Sequence, residues 1–454
     1  MKRFYQVVAL LAALLAGCGG GGGGTATPTT AAPPVETSQA PAAPASCSLA
    51  DQKTWLSASM RDRYFWYDRM GTANAAAPNI DSYFASLLYS PVDRYSYTQP
   101  AATFTQFYAE GTRLGYGYSL VFTDSLSTTM RVRAVEPASP VALAGIRRGD
   151  FVLSIDGRTP SQLAAEGLAA VSTEGVPRTF VLRDRAGAQR TITVSSAVFA
   201  LAPVLAQSVL DVATPSGSRK VAYMAYQEFI SAGNTAMGEA FSRFASQGAT
   251  ELVLDLRYNG GGEVGIARNL SSMIGGSRLA GQTFTQLRFN GKHPEDNLTI
   301  PFTADGRVLP GPPLQGLRRV FVIASSGTAS ASELVINSLK PFMEVVLVGG
   351  TTYGKPYGFE PVQACGTVFN AVNFESVNAL GVGGYNNGIS PTCVVPDDLD
   401  HALGDPAEGR IAAALYFAGN GVCPATASAL AQDAGAGKLI PAITEGGPPG
   451  MWRR

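Results

Sequence analysis

The sequence predicts an α/β protein: a layered core with a mixed β-sheet and helices, preceded by a compact β-rich unit and an N-terminal helical subdomain. Three observations carry this. From residue 201 strand-like and helix-like runs alternate, through "RKVAYMAYQEF", "NTAMGEAFSRFASQG", "TELVLDLRYNGGG", "EVGIARNLSSMIGG", "RRVFVIASSG", "SASELVINSLK" and "EVVLVGG". A βαβ rhythm of this kind builds helices onto a largely parallel sheet. The Gly-rich "NGGG" and Ser-rich "SSGTAS" end strands, which is where such folds place chemistry. Residues 111–200 differ, with short β runs, one helical stretch and a Gly-Asp turn.

Taken in order, residues 1–17 read as a targeting segment. "MKRF" is basic, and "YQVVALLAALLAG" is apolar but short for a bilayer span. It ends in "LLAGC", which resembles a bacterial lipobox. That resemblance implies diacylation of Cys18, a mature chain starting there, and an envelope protein facing the periplasm. Gly19 after the Cys is compatible with the outer membrane. An ordinary signal peptide with an incidental Cys is the alternative. Residues 18–46, Gly-rich and then Pro/Thr/Ala-rich, hold almost no large apolar side chain and read as a tether. At roughly 3 Å per residue it spans several tens of ångströms if extended.

Residues 47–110 are aromatic. The spacing of Trp55, Met60, Tyr64 and Tyr67 suits an amphipathic helix. In residues 111–200, "PSQLAAEGLAAVST" reads as the helix, and "RTFVLRD" and "RTITVSS" as strands. "SPVALAGIRRGDFVLSIDG" strongly resembles a PDZ domain, as does Gly115-Tyr116-Gly117-Tyr118 at the start of its first strand. The resemblance implies capture of a protein C-terminus as an added strand, with backbone N–H groups of the Gly-rich loop receiving the carboxylate.

In residues 201–425 the chemistry gathers at three places. Ser330 stands at a strand-to-helix junction, and "SASE" is a capping box with Glu333 as the reciprocal partner. Helix-start N–H groups are unpaired and favour negative charge, so an oxyanion beside Ser330 would be stabilised, with the Ala331 N–H as one donor. "DLRYNGGG" offers a second loop of unobstructed N–H groups. Lys355, in "TTYGKP" among neutral residues, would have its charged form disfavoured and could serve as a base. Asp255 and Arg257 read as a structural pair. His293 and His401 lie in polar segments and fit a triad poorly.

These motifs together resemble the C-terminal processing (tail-specific) serine proteases, the S41-type peptidases. "GTASASE" with "YGK" is similar to that family's nucleophile and base pattern, "LDLRYNGGG" to its oxyanion loop, and "LLYSPVDRYSY" to its segment ahead of the PDZ domain. The resemblance covers most of residues 50–420. It implies a ClpP/crotonase-like core, Ser330 as nucleophile, Lys355 as general base, Gly261 and Ala331 as oxyanion donors, and Glu333 as cap and a possible orienter of Lys355. Gly260 stands where the family usually has Pro, Ser325 where it usually has Asn, and Pro356 where Gly is commoner.

Bulk composition excludes several classes. The 454 residues carry 34 Lys plus Arg against 34 Asp plus Glu, so no basic excess points to nucleic acid. No Cys/His spacing suggests a metal site, and no cofactor is implied. Apart from Cys18, four cysteines remain, which suits disulfides in an exported protein with three possible connectivities. Their shared segment favours Cys365 with Cys393, leaving Cys47 with Cys423. Residues 426–454 are Ala/Gly-rich and uninformative. Two other functions stay open: a non-catalytic PDZ-containing lipoprotein that binds peptides, and an esterase using the same dyad.

Overall fold

The computed structural model describes residues 42–214, 217–303, 309–425, 441–444 and 451–452. The expected signal segment, Cys18 and nearly all of the tether lie outside the described residues.

The chain enters through α1 (Leu49–Arg63), started by Ser48, whose side chain accepts the Asp51 N–H at 3.2 Å. Asn79 likewise caps α2 (Ile80–Leu87). Then follow β1 (Tyr97–Pro100) and α3 (Ala101–Tyr108). Trp55, Leu56, Met60 and Tyr64 are buried together with Phe84 and Leu87. Tyr67 falls beyond the helix. This core is shared rather than private, because Ala364, Phe369 and Val372 of the later chain complete it.

The β-rich unit contains β2 (Thr112–Gly115), β3 (Tyr118–Phe122), β4 (Met130–Val135), α4 (Pro140–Leu143), β5 (Phe151–Ile155), α5 (Pro160–Glu166), β6 (Pro177–Arg183), β7 (Gln189–Ser195) and β8 (Ala197–Ala200). Strands β3 to β7 form an antiparallel meander. The α5 helix is shorter than its apolar pattern suggested. Thr159 and Gln162 form its capping box, and Gly167 at φ 73° ends it, a left-handed stop that glycine adopts without cost.

The core has β9 (Val204–Thr214), β10 (Gly217–Tyr226), α6 (Gly233–Ser246), β11 (Glu251–Asp255), β12 (Gly262–Glu263), α7 (Val264–Gly275), β13 (Thr283–Phe289), β14 (Leu298–Pro301), β15 (Arg319–Ala324), α8 (Ala331–Leu339), β16 (Glu344–Gly349), β17 (Tyr357–Gly358), β18 (Val362–Ala364), β19 (Thr367–Asn370), β20 (Phe374–Val377), β21 (Cys393–Val394) and α9 (Gly409–Asn420). Two short strands follow, β22 (Pro441–Thr444) and β23 (Met451–Trp452). The main sheet runs β21-β16-β15-β11-β10-β9, parallel except for the antiparallel β9. It is therefore the mixed sheet the alternation predicted.

Strand alternation assigns the two faces. Ala222, Met224, Leu252, Leu254 and Val322 pack against Met237, Phe241, Leu270 and Leu334 of α6, α7 and α8. Val221, Tyr223, Val253, Phe321 and Val348 pack against Ile411, Ala414 and Phe417 of α9. Every residue of α8 is buried, because a second sheet, β14-β13-β20-β17, covers its outer side. The buried polar side chains Ser332, Glu333 and Asn337 of α8 are satisfied by hydrogen bonds to neighbouring loops, and Ser330 stands at the start of the helix.

The disulfides are Cys47–Cys365 and Cys393–Cys423, which corrects the expected pairing. Cys365 sits in the β18–β19 turn, beside the N-terminal subdomain whose core those strands share. Cys393 lies on β21 at the edge of the sheet face covered by α9, and Cys423 follows that helix. Proximity in sequence misled because β21 and the β18–β19 turn belong to different sheets.

Candidate active site

Ser330 is the N-terminal flank of α8 and has φ 60° and ψ −116°. A non-glycine residue here costs about 1–3 kcal/mol, and such strain persists only where surrounding packing enforces it. The enclosed α8 supplies that packing. The expected capping box is present: the Ser330 N–H donates to Glu333 Oε2 at 2.9 Å, and the Ser330 side chain faces the Glu333 N–H. That second contact is loose, so the fully buried Ser330 hydroxyl has no hydrogen bond of normal geometry. The oxygen is left available for other chemistry.

Glu333 does more than close the helix. Its Oε2 also accepts the Lys355 N–H at 2.8 Å, and its Oε1 accepts the Gly354 N–H at 2.7 Å and the Thr352 hydroxyl at 2.5 Å. One buried carboxylate oxygen thus receives the backbone N–H of both Ser330 and Lys355. Burial raises the Glu333 pKa, and its four hydrogen bonds oppose that shift. Four donors and no acceptor suit the ionised form.

Lys355 is 0% exposed. Its Nζ donates to the Tyr95 carbonyl at 3.3 Å and lies 4.8 Å from the Phe359 ring centroid. Burial lowers its pKa to about 7, while the negative charges of Asp93 and Glu333 pull the other way. The amine is therefore poised between its two forms at neutral pH.

The segment Asp93–Ser96 forms a wall around this lysine. Asp93 accepts from Tyr64 and from Ser96 Oγ, each at 2.6 Å, and from the Tyr95 and Ser96 N–H groups. Tyr95 donates to the Gly354 carbonyl at 2.8 Å. Neither Asp93, Tyr95 nor Thr352 was expected at the site. The stretch "LLYSPVDRYSY" was visible as a motif, but nothing local in it indicates contact with residues 260 positions away.

The Gly loop is clasped to α8 through Asn259. Its carbonyl accepts the Ala329 N–H and the Ser332 hydroxyl, both at 3.0 Å. Its side chain accepts the Gly261 N–H at 2.8 Å. The Gly261 hydrogen, expected to serve an oxyanion, is thus engaged by Asn259 in this state. Gly262, at φ 134°, passes so close to Phe229 that a Cβ would lie 2.2 Å from the Phe229 carbonyl oxygen.

Behind the loop, Arg257 bonds Asp255 at 3.0 Å, both Glu408 oxygens at 2.6 and 2.9 Å, and Asp397 at 3.0 Å. It is a structural anchor, as the sequence suggested. Tyr258 bonds the same Asp397 and accepts from Arg148 of the β-rich unit at 2.6 Å. His293 pairs with Asp62 at 3.0 Å and His401 with Asp398 at 2.7 Å. Their partners are carboxylates, not the Ser330 hydroxyl.

In the β-rich unit, Gly117 has φ 86°, and a Cβ there would strike Ser139 at 2.0 Å. The glycine is required for the Gly115–Tyr118 turn between β2 and β3. Tyr116 and Tyr118 are buried against Phe180. Their side chains build the core, so only the backbone of this turn is suited to receiving a ligand.

Residues 220–394 match the model of peptidase family S41, and residues 51–97 match that of the peptidase S41 N-terminal domain. A carboxyl-terminal-processing protease of Synechocystis sp. is 28% identical over 302 residues, covering 64% of this chain and 66% of that protein. A chloroplastic C-terminal processing peptidase of Tetradesmus obliquus is 26% identical, covering 54% of this chain and 52% of that protein. The chain thus spans about half to two thirds of the length of these relatives. A crystal structure from Bacteroides fragilis described as an S41 protease superposes with TM-score 0.63 at 25% identity, over 80% of this chain and 96% of that one. The photosystem II D1 C-terminal processing protease has TM-score 0.50 at 20% identity and shares the fold.

Proposed function

We infer, from the premise that the chain is a serine-type peptidase of family S41 similar to the C-terminal processing peptidases, that it is an endopeptidase using a Ser330–Lys355 dyad. One observation carries this reading. A buried, strained serine with an unpartnered hydroxyl is tied through Glu333 to a buried lysine whose pKa is lowered to about 7. Neutral Lys355 takes the Ser330 proton as Oγ attacks the scissile carbonyl carbon. The resulting oxyanion forms at the α8 start, where the Ala331 N–H and the helix dipole stabilise it. Collapse breaks the C–N bond, and Lys355 passes its proton to the leaving amine. Water then hydrolyses the acyl-enzyme.

The 111–200 unit acts in this reading as a PDZ domain that captures protein segments by strand addition along β3. Lipidation at Cys18 and an envelope location rest on the leader sequence, and two disulfides suit an oxidising compartment. The test is cleavage of an unfolded protein by purified wild type, Ser330→Ala and Lys355→Ala. Both variants should lose activity while remaining folded by circular dichroism. Retained cleavage by Ser330→Ala refutes the dyad, and absence of cleavage by all three favours a peptide-binding scaffold.

A further inference from the structure

The chain's own C-terminal segment lies on two β-edges that a substrate would need. Strand β22 pairs antiparallel with β3, with Pro441 opposite Val121, Ile443 opposite Leu120 and Thr444 opposite Ser119. It therefore extends the five-stranded meander by one strand, at the edge that begins at the Gly115–Tyr118 turn. Strand β23 pairs parallel with β12, with Met451 level with Gly262 and Trp452 level with Glu263. Gly262 directly follows Gly261 of the loop beside Ser330. Strand β23 also approaches β17, which begins two residues after Lys355.

We propose that strands β22 and β23 (Pro441–Thr444 and Met451–Trp452) are a tethered ligand of this active site, docking by strand addition at β3 and at β12 and competing with any other polypeptide for those edges. This rests on the reading of Ser330 and of the β3 edge given above. Three observations support it. Strand edges are the places where an extended chain gains main-chain hydrogen bonds irrespective of sequence, and one segment takes both. Ser330 and Lys355 are each 0% exposed, so the site is closed in this state although its reaction requires a polypeptide at Ser330. Strand β23 lies against both β12, which follows Gly261, and β17, which follows Lys355, so it borders both loops of the dyad.

A tethered segment competes at an effective concentration of about 1 mM. If the free segment binds at tens of micromolar, tethering weakens an outside competitor roughly ten- to thirtyfold. The test uses a fluorescent synthetic peptide of residues 438–454 and Ser330→Ala protein, so binding is read without cleavage. Protein ending at Ala425 should bind the peptide at least tenfold more tightly than the full chain. The full chain carrying Ile443→Pro and Thr444→Pro should also gain affinity, since one of two successive N–H groups must face β3. This second variant serves where truncation impairs folding. Equal affinity in all forms, or no binding to the truncated form, overturns the proposal. In the catalytic protein, truncation should lower KM for an unfolded substrate at least fivefold without lowering kcat, and an unchanged KM also overturns it. If no form cleaves but the binding difference holds, the peptidase reading fails and the tethered ligand stands.

Discussion

Replacing Glu333 by Gln isolates the residue that registers the two halves of the dyad. The wild-type carboxylate accepts from Ser330, Lys355, Gly354 and Thr352. Glutamine has one acceptor oxygen and one NH2. With the oxygen toward Ser330 and Lys355, the NH2 can donate to the Thr352 hydroxyl but faces the Gly354 N–H. Turned around, it confronts both the Ser330 and Lys355 N–H groups. The better orientation leaves one buried donor unpaired, which costs about 1–3 kcal/mol of stability. The same displacement loosens the start of α8 against the Lys355 loop, so kcat/KM should fall about ten- to a hundredfold, equivalent to ~1.4–2.8 kcal/mol. A second readout separates positioning from simple destabilisation. The Glu333 charge raises the Lys355 pKa, so its removal should shift the ascending limb of the pH–rate profile toward lower pH. Urea denaturation and a pH series of kcat/KM measure all three. Activity within twofold of wild type with an unmoved limb would refute the reasoning.

Lys355 makes a prediction of its own: kcat/KM of wild type should rise with pH through about 7, where the amine loses its proton. A flat profile between pH 6 and 8 would contradict the base assignment. The stability sign follows from the same shift. The folded-state pKa is depressed from 10.5 to about 7, so between those values the unfolded chain binds the extra proton and stability rises with pH. Lys355→Met should therefore be inactive yet more stable than wild type, with the largest difference below pH 7 and little above pH 10. An advantage that grows with rising pH would reverse this account. The double variant Cys47→Ser and Cys365→Ser should lose about 2–5 kcal/mol in chemical denaturation, and activity with it, because the subdomain it frees carries the Tyr95 carbonyl that holds Lys355 Nζ. Non-reducing peptide mapping should recover Cys47 linked to Cys365, and a Cys365–Cys393 peptide would refute the pairing.

Sequence pattern by itself determined the local elements. Alternating periods in 201–425 specified the mixed sheet and its helices, and "SASELVINSLK" specified α8 to within a residue of its Lys340 end, because period and caps are properties of neighbouring residues. Ser330, Lys355 and the Gly loop could be named as candidates because their residue types lie in the loops that follow β15, β16 and β11. The 160–173 run was overread, since apolar content could not outweigh the left-handed turn at Gly167.

Whatever depends on pairing across the chain was decided only by tertiary structure. Sequence separation does not report spatial distance, so the disulfide connectivity came out differently from the expectation. Nor did the residues Asp93 and Tyr95 announce themselves, because their role exists only once Lys355 is folded against them. Gly261 was expected to donate to an oxyanion, and only the folded Asn259 side chain determines where its hydrogen goes. The capping box was read correctly as a motif and incompletely as chemistry. Its glutamate had the acceptor capacity to bind a second loop, and its serine oxygen has no hydrogen bond of normal geometry.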